Sequence, residues 1–465
     1  MNTLTWLHLS DLHFRASQAY NSNVVLKALL RDIRERIQKD GLRPDFIAVT
    51  GDIAFSGHPA EYALARAFLD DLLAATDLPR ERLFLVPGNH DANRSLVTLG
   101  VKAIGAALTD RESANTLLTT LEDRQRVMAR FKGYAEFVND DLPHLAFDDE
   151  RYFYVRTPDM AGQPVALLGL NSAWLCASDK DKADGLLIGE RQARAALEQA
   201  EGAALKIALL HHPFDWLREF DQNDSAAMLT DGCDFILQGH LHRTAATQLT
   251  TPDSAAMILA CGACYETRDF PNMYNWVQLD LAAGAGAVYL RRYSPERGGF
   301  WAKDTLTYRN VQDGVYSFSL RGRLSGSAQP PGGWPQSQPS VVPGGSITSV
   351  GSGNINDTGG VQGGITVNYE SARPAQPAAS QDEYNLEIVR ELLGAAFSDE
   401  EIVTLAFDRF RRVYDDISGE MSKTKKIRLL VDWCNERVVL GELLAEVKRR
   451  NPNQYARFAS RLKMQ

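Results

Sequence analysis

Cysteine is scarce in this chain: five in 465 residues, scattered and odd in number. That excludes a disulfide-stapled scaffold and fits a reducing compartment. Long apolar runs are missing too. No stretch reaches the roughly 18 residues of a membrane-spanning helix, and the amino terminus has no basic segment leading into an apolar one. The expectation is no membrane association and a cytoplasmic location. A basic excess is also lacking. Net charge is −9, with the acid surplus in residues 1–320 and residues 381–465 balanced. Nonspecific binding of long duplex nucleic acid wants a basic face, so the charge weighs mildly against it, although bound cations would reverse the sign locally. The apolar fraction of 44% and charged fraction of 23% are those of an ordinary globular chain. Its length suits two or three domains.

Histidine is nearly as rare, nine in all, yet seven of the nine fall in six short motifs. Each motif follows an apolar run that reads as a β-strand. They are WLHLSDLHF (Asp11, His13), FIAVTGD (Asp52), LFLVPGNHD (Asn89, His90, Asp91), LLGLNSAW (Asn171), IALLHHP (His211, His212) and FILQGHLH (His240, His242), with a closing strand MILACGACY. The carboxyl end of a strand is where an α/β fold presents its reactive groups. Aspartate, asparagine and histidine together offer oxygen and imidazole ligands, which suit Mn, Fe, Zn or Co better than a thiolate-loving ion. Asp11, His13, Asp52, Asn89, His211, His240 and His242 are more side chains than one ion needs. Two divalent ions sharing a carboxylate would use them all. Such a pair clamps the attacking and leaving oxygens of an in-line displacement and acidifies a shared water. Hydrolysis of a phosphoester is the natural reaction.

The ordered set Asp-x-His, Gly-Asp, Gly-Asn-His-Asp, His and Gly-His-x-His resembles the calcineurin-like metallophosphoesterase superfamily, over roughly residues 1–315. The resemblance implies an α/β fold, a four-layer αββα sandwich. It implies that Asp11, His13 and His242 hold a first ion, that Asn89, His211 and His240 hold a second, and that Asp52 bridges them. It implies further that His90 is the acid for the leaving oxygen, with Asp91 orienting its ring and raising its pKa. The opening HLSDLHF looks most like the cyclic-nucleotide phosphodiesterase and repair-nuclease branches. The substrate expected is therefore a phosphodiester in a nucleotide or nucleic acid. Alternatives are a phosphomonoesterase of the protein-phosphatase kind, or a nucleotide-binding sensor that signals through the carboxyl-terminal domain.

Neighbouring residues have plainer readings. His212 points away from His211 along the strand and is placed behind the ligands or against substrate. Arg94 clamps a phosphate or pairs on the surface. Asn171 is a strand-end hydrogen bonder near the site, a candidate substrate contact and not a ligand. His8 reads as core, His58 as part of a turn, and His144 as a solvent-exposed loop residue. Cys261 and Cys264, in a small-residue strand with no second cysteine pair, read as packed thiols and not as a redox or zinc site.

Strands are expected at about 3–10, 45–51, 82–87, 165–171, 206–211, 234–238 and 256–263. Helices are expected at 22–38, 60–76 and 186–201, where apolar residues recur every three or four positions. Residues 95–145 read as a helical insertion that roofs the site, and 272–320 as a β extension, so that 1–320 form the catalytic domain. From 321 to 380, Gly, Ser, Pro and Gln dominate and predict a flexible linker, with Ser346–Val350 and Ile365–Tyr369 as a candidate strand pair. Residues 381–465 read as five or six short helices. Caps are expected at Ser398 (with Glu401) and Ser422, and Pro452 opens the last helix. This segment resembles the bacterial effector-associated, death-like adaptor modules. That implies a protein partner or self-association through 381–465, in a bacterial conflict or defence setting.

Overall fold

The structure, a computed structural model, describes residues 3–15, 19–177, 185–250, 254–309, 311–320, 384–410, 413, 421–436 and 440–462. It divides between residues 331 and 332 into two compact units. Both candidate strands within 346–369 lie outside the described residues.

In the first unit β1 (Thr3–Leu9), β2 (Phe46–Thr50) and β3 (Leu83–Val86) pair in parallel. A second sheet holds β4 (Tyr154–Arg156), β5 (Asp159–Met160), β6 (Gln163–Gly169), β7 (Leu205–Leu209), β8 (Phe235–Gln238), β9 (Ala245–Thr250) and β10 (Ala255–Ala260). Its centre, β6-β7-β8-β10, is parallel. The chain then returns to the first sheet with β11 (Met273–Asp280), β12 (Ala285–Ser294), β13 (Phe300–Lys303) and β14 (Val315–Ser319). Each sheet has seven strands. The central strands are nearly continuous runs of buried apolar residues, as expected of parallel strands covered on both faces.

The sheets pack face to face. Trp6 of β1 stacks on Phe46 at 5.6 Å and sets its ring against Phe235 of β8 at 5.0 Å. Helix Ala19–Asp40 covers the outside of the first sheet. There Asp32 accepts hydrogen bonds from Tyr274 (2.6 Å) and Arg291 (2.6 Å), and Trp301 Nε1 donates to the Val25 carbonyl. Helices Glu190–Gln199 and Ala227–Gly232 cover the second. This is the four-layer sandwich that the motifs implied.

All seven expected strands are present, and other features differ, among them the short strands β4 and β5, which were not expected. Residues 272–320 are no appendage: β11 pairs antiparallel with β1, Leu7 opposite Trp276, so they complete the first sheet. β9 was not expected, because its sequence AATQLT is polar and exposed. β10 stops at Ala260, and Cys261 and Cys264 lie in the loop beyond it, buried free thiols as read. Within 95–145 four helices form, Leu99–Ala107, Arg111–Thr119, Leu121–Met128 and Lys132–Asp141. Tyr134 and Phe137 pack on Tyr62, and buried Arg130 donates to the carbonyls of Trp174 and Cys176 in the loop after β6. His144 is half-buried rather than solvent-exposed, because its Nε2 meets the Leu83 carbonyl at 3.1 Å.

In the second unit the described helices are Leu386–Ala396, Asp399–Arg409, Lys423–Glu436, Leu440–Arg450 and Pro452–Phe458. Ser398 and Glu401 form the expected capping box. Ser422 Oγ accepts from the Lys425 amide. Leu392, Leu405, Leu430, Cys434, Leu443 and Val447 meet in a core of their own. Glu446 gathers Arg409 (3.4 Å), Arg449 and Arg450 (2.7 Å). Hydrogen bonds from Arg449 and then Arg450 hold its carboxyl down at about 2, below the ordinary 4.5. A depressed carboxyl contributes stability above its unfolded pKa and loses it as pH falls towards the folded one. Amide protection of helix Leu440–Arg450, corrected for intrinsic exchange, is therefore expected to fall between about pH 4.5 and 2. Glu446→Gln removes that part of the pH dependence.

Candidate metal centre

All the expected ligand side chains sit at or just past the carboxyl ends of β1, β2, β3, β7 and β8, and the sheets bring those ends together. The local backbone is unusual. Five of the seven positions are in the left-handed region: Asp11 (φ 53°), His13 (47°), Asp52 (53°), His240 (68°) and His242 (52°). That conformation costs a non-glycine residue roughly 1–2 kcal/mol. Asp, Asn and His tolerate it better than most. It persists because the turns are tied to one another. The Asp11 amide donates to the Gly51 carbonyl (3.0 Å) and the His13 amide to the Asp52 carbonyl (2.9 Å). The Gly239 amide donates to His211 O (3.0 Å), and those of Cys264 and Tyr265 to Ser10 O (2.9 Å) and Asp11 O (3.1 Å). Gly88 must be glycine, since a Cβ there would collide with the Asp52 carboxylate.

The side chains form two clusters that share one atom. In the first, Asp11 Oδ1 lies 3.2 Å from His242 Nε2 and 3.7 Å from His13 Nε2, and the two imidazole nitrogens are 3.2 Å apart. In the second, His211 Nε2 lies 3.1 Å from Asn89 Oδ1 and 3.3 Å from His240 Nδ1, and Asn89 Oδ1 is 3.1 Å from His240 Nδ1. Asp52 Oδ2 faces both, 3.9 Å from His13 Nε2 and 3.2 Å from His211 Nε2. Its other oxygen accepts the His90 amide at 2.8 Å. Ligand atoms at roughly 2.1 Å from an ion stand about 3.0–3.5 Å from each other, which matches these spacings except the two longer ones from His13, at 3.7 and 3.9 Å. Asp11 Oδ1 is buried and faces the imidazole nitrogens of His242 and His13, while Oδ2 takes the Ser10 hydroxyl (2.5 Å) and the His240 amide (3.2 Å). A buried carboxylate oxygen aimed at two imidazole nitrogens suits a cation site.

The charge balance of the clusters shows in the shifts of their titratable groups. His211 Nδ1 meets the Thr50 carbonyl at 2.7 Å and Nε2 meets Asp52, so both nitrogens face acceptors. Burial opposes the imidazolium, but Asp52, Asp11 and the Thr50 carbonyl together outweigh burial and lift His211 to about 9. His242 stands likewise between Asp11 and Glu266 and, against burial, rises to about 8. Burial favours the neutral form of the Asp52 and Asp11 carboxyls, yet the neighbouring imidazoles His211 and His242 keep both below the usual carboxylate range. Burial pushes His13 down to about 4 and His8, whose Nε2 meets Thr50 Oγ1, to about 3.

The other candidates sort as follows. His90 is at the cluster, its ring 4.8 Å from that of His13 and stacked on Phe55 at 4.9 Å. Asp91 does not orient it, contrary to expectation. The Phe55 carbonyl does, 2.7 Å from Nδ1. The Asp91 carboxylate is saturated by the amides of Ile53, Ala54 and Gly88 and the Tyr62 hydroxyl, and so pins the Asp52 turn to the Gly88 turn. Burial, then the Asp52 charge, push it up to about 7. The His90 pKa is lowered by burial, not raised. Arg94 is half-buried and close enough for its charge to act on His90. His212 packs against His240 at 4.6 Å and brings a nitrogen within 4.8 Å of those of His211 and His240. Its own nitrogens face Ser172 Oγ (3.0 Å) and Cys176 Sγ (3.6 Å). Asn171 is turned from the cluster, its oxygen on the Ala173 amide and its amide nitrogen near Met128. Exposed His58 begins helix Pro59–Thr76. Glu266 was missed. It stands 3.3 Å from His242 Nδ1 in a loop with no motif of its own. Only its place two residues past Cys264, beside the closing strand, pointed there.

A two-cluster site of this composition, at the strand ends of an αββα sandwich, defines the metallophosphoesterase class. The calcineurin-like phosphoesterase model matches residues 4–244, and the chain belongs to that family. Its helical unit matches effector-associated domain 7 over residues 389–452. The chain is 25% identical over 332 residues to the uncharacterized metallophosphoesterase-like protein YydB of Bacillus subtilis, covering 68% of this chain and 64% of that one. It is 34% identical over 85 residues to a probable cyclic nucleotide phosphodiesterase of Rhodococcus erythropolis (18% and 27% covered). It is 38% identical over 94 residues to the glycerophosphodiester phosphodiesterase GpdQ of Enterobacter lignolyticus (18% and 28% covered). The match thus spans 64% of the length of the first relative and about a quarter of the other two. No helix among the described residues is long and apolar enough to cross a membrane.

Because Asp52 Oδ2 serves both clusters, Asp52→Asn is expected to lower the divalent-metal content of the purified chain. Turnover of bis(p-nitrophenyl) phosphate should fall by on the order of 10²–10³ or more, the scale of losing one electrostatic stabiliser. Elemental analysis and initial rates check both.

Proposed function

We propose that the chain is a metal-dependent phosphodiesterase that acts on a nucleotide or nucleic-acid phosphodiester, with two divalent ions held by the clusters around Asp52. The observation that carries this reading is the single Asp52 oxygen facing both clusters beside the ring of His90. When bound, the two ions supply Lewis acidity and a nucleophile at neutral pH. Asp11, His13 and His242 hold one, Asn89, His211 and His240 the other. Mn, Fe, Zn and Co all suit the donor set.

The chain's own residues do the rest. His90 Nδ1–H donates a hydrogen bond to the Phe55 carbonyl, which leaves Nε2 for substrate. To act on a leaving oxygen, Nε2 must carry a second proton. Burial and then Arg94 disfavour that proton in the free protein, while Asp52 favours it. An anionic phosphodiester beside the ring would add to the favourable side. We assign Arg94, whose charge acts on His90, to pairing with the same phosphate oxygens. The diester preference is supported by the relatives named for cyclic nucleotide and glycerophosphodiester substrates. The effector-associated domain supports recruitment in the cytoplasm to a protein partner or a second copy, in a bacterial defence setting. A tethered enzyme meets its target at raised effective concentration.

His90→Asn is expected to lower kcat by about 10²–10⁴-fold on diesters with poorly leaving alkoxides, the range of general acid catalysis. The loss should be smaller on p-nitrophenyl diesters, with bound metal unchanged. Equal losses on both substrates would remove His90 from the leaving-group role. Cyclic nucleotides, dinucleotides, single-stranded DNA and RNA assayed side by side with phosphopeptides test the substrate class. Hydrolysis of the phosphopeptides alone would overturn it.

A further inference from the structure

The two imidazoles that face acceptors on both sides are anchored differently. His211 leans on a backbone carbonyl, that of Thr50, whereas His242 leans on a carboxylate. Glu266 Oε2 lies 3.3 Å from His242 Nδ1 and 3.9 Å from His13 Nε2, so one oxygen reaches the two histidines of a single cluster. The carboxylate is three-quarters buried, at 25% exposure. It lies outside the motif set, in the loop after β10.

That loop is built to hold it. The amides of Cys264 and Tyr265, immediately before Glu266, donate to the carbonyls of Ser10 and Asp11. The Glu266 amide donates to Asn272 Oδ1 at 2.8 Å, and Asn272 Nδ2 closes the turn on the Thr267 carbonyl at 2.9 Å. The Glu266 backbone is thereby fixed to the same turn that carries Asp11.

We infer that Glu266 is a positioning residue for the first metal site: it accepts the Nδ1 proton of His242, turns Nε2 towards the ion, and adds negative charge beside the Asp11 cluster. The inference rests on the dinuclear reading above. A carboxylate behind a ligating imidazole fixes its tautomer and raises its basicity, and removing such a partner commonly costs 10–100-fold in metal affinity. The second cluster, whose members are Asn89, His211 and His240, has no such carboxylate among the described residues. The effect should therefore fall on one ion of the two. Neutralising Glu266 leaves Asp11 and Asp52 in place, so the ion is weakened and not abolished.

The test is a titration of the full chain, stripped of metal, with Mn²⁺ alone, followed by calorimetry and by metal analysis after chelator competition. The parental protein, Glu266→Gln and Glu266→Ala are compared. Gln keeps an acceptor for the Nδ1 proton and removes the charge, while Ala removes both. The expected result is a 10–100-fold loss of affinity for one ion in Glu266→Ala and a smaller loss in Glu266→Gln. The other ion should bind within about twofold, and the metal-free melting temperature should not change. Two ions held with parental affinity in both variants would overturn the inference and leave the metal centre standing. So would equal loss of both ions with a lowered metal-free melting temperature, which would make Glu266 a structural prop. If the alanine variant does not fold, the nearly isosteric glutamine variant decides. A parental protein that takes up no ion would refute the dinuclear reading itself, and the role of Glu266 with it.

Discussion

The structure is organised around a repulsion. Side-chain lone pairs of four histidines, two aspartates and one asparagine converge to spacings of 3.1–3.3 Å. No neutral arrangement of those atoms is stable out of water. The Asp11 and Asp52 carboxylates favour an imidazolium in each cluster, at His242 in the first and His211 in the second, which relieves it in part. A divalent ion would relieve it more completely. The fold's task is to hold the donors in place until that charge arrives, and the αββα sandwich does so by bringing the ends of two parallel sheet centres face to face.

That task shows in the backbone. Five of the seven donor residues adopt a conformation that L-residues avoid. Turns of this kind direct consecutive side chains into one small volume, and strain of this sort collects where a site demands it. Cross-turn hydrogen bonds hold the strained residues, and Asp91 ties two of the turns by accepting from three amides and a hydroxyl. Asp91 lies next to the chemistry in sequence and acts on it through the scaffold, fixing where Asp52 stands.

How much of this could be read beforehand follows from where the information lies. The residues of the two clusters were legible because each is the last chemical word of an apolar strand, in an order that few folds share. The strands themselves were legible because those buried on both faces leave an unbroken apolar run. β9 was not, since an exposed edge strand carries no such run. The partner of the His90 ring was misread, because a backbone carbonyl leaves no mark in a sequence and a neighbouring aspartate does. Glu266 left no mark either: it meets His13 and His242 only through the closing of the first sheet by β11 and the loop before it. His144 was taken for solvent-exposed because nothing in the sequence announces a contact with the Leu83 carbonyl, 61 positions back.

The central claim is that two cations share Asp52. Electron paramagnetic resonance of the full chain loaded with two equivalents of Mn²⁺ tests it most directly. Ions roughly 3.5–4 Å apart are predicted to give an exchange-coupled spectrum. Saturation at a single ion, or two uncoupled signals, would contradict it.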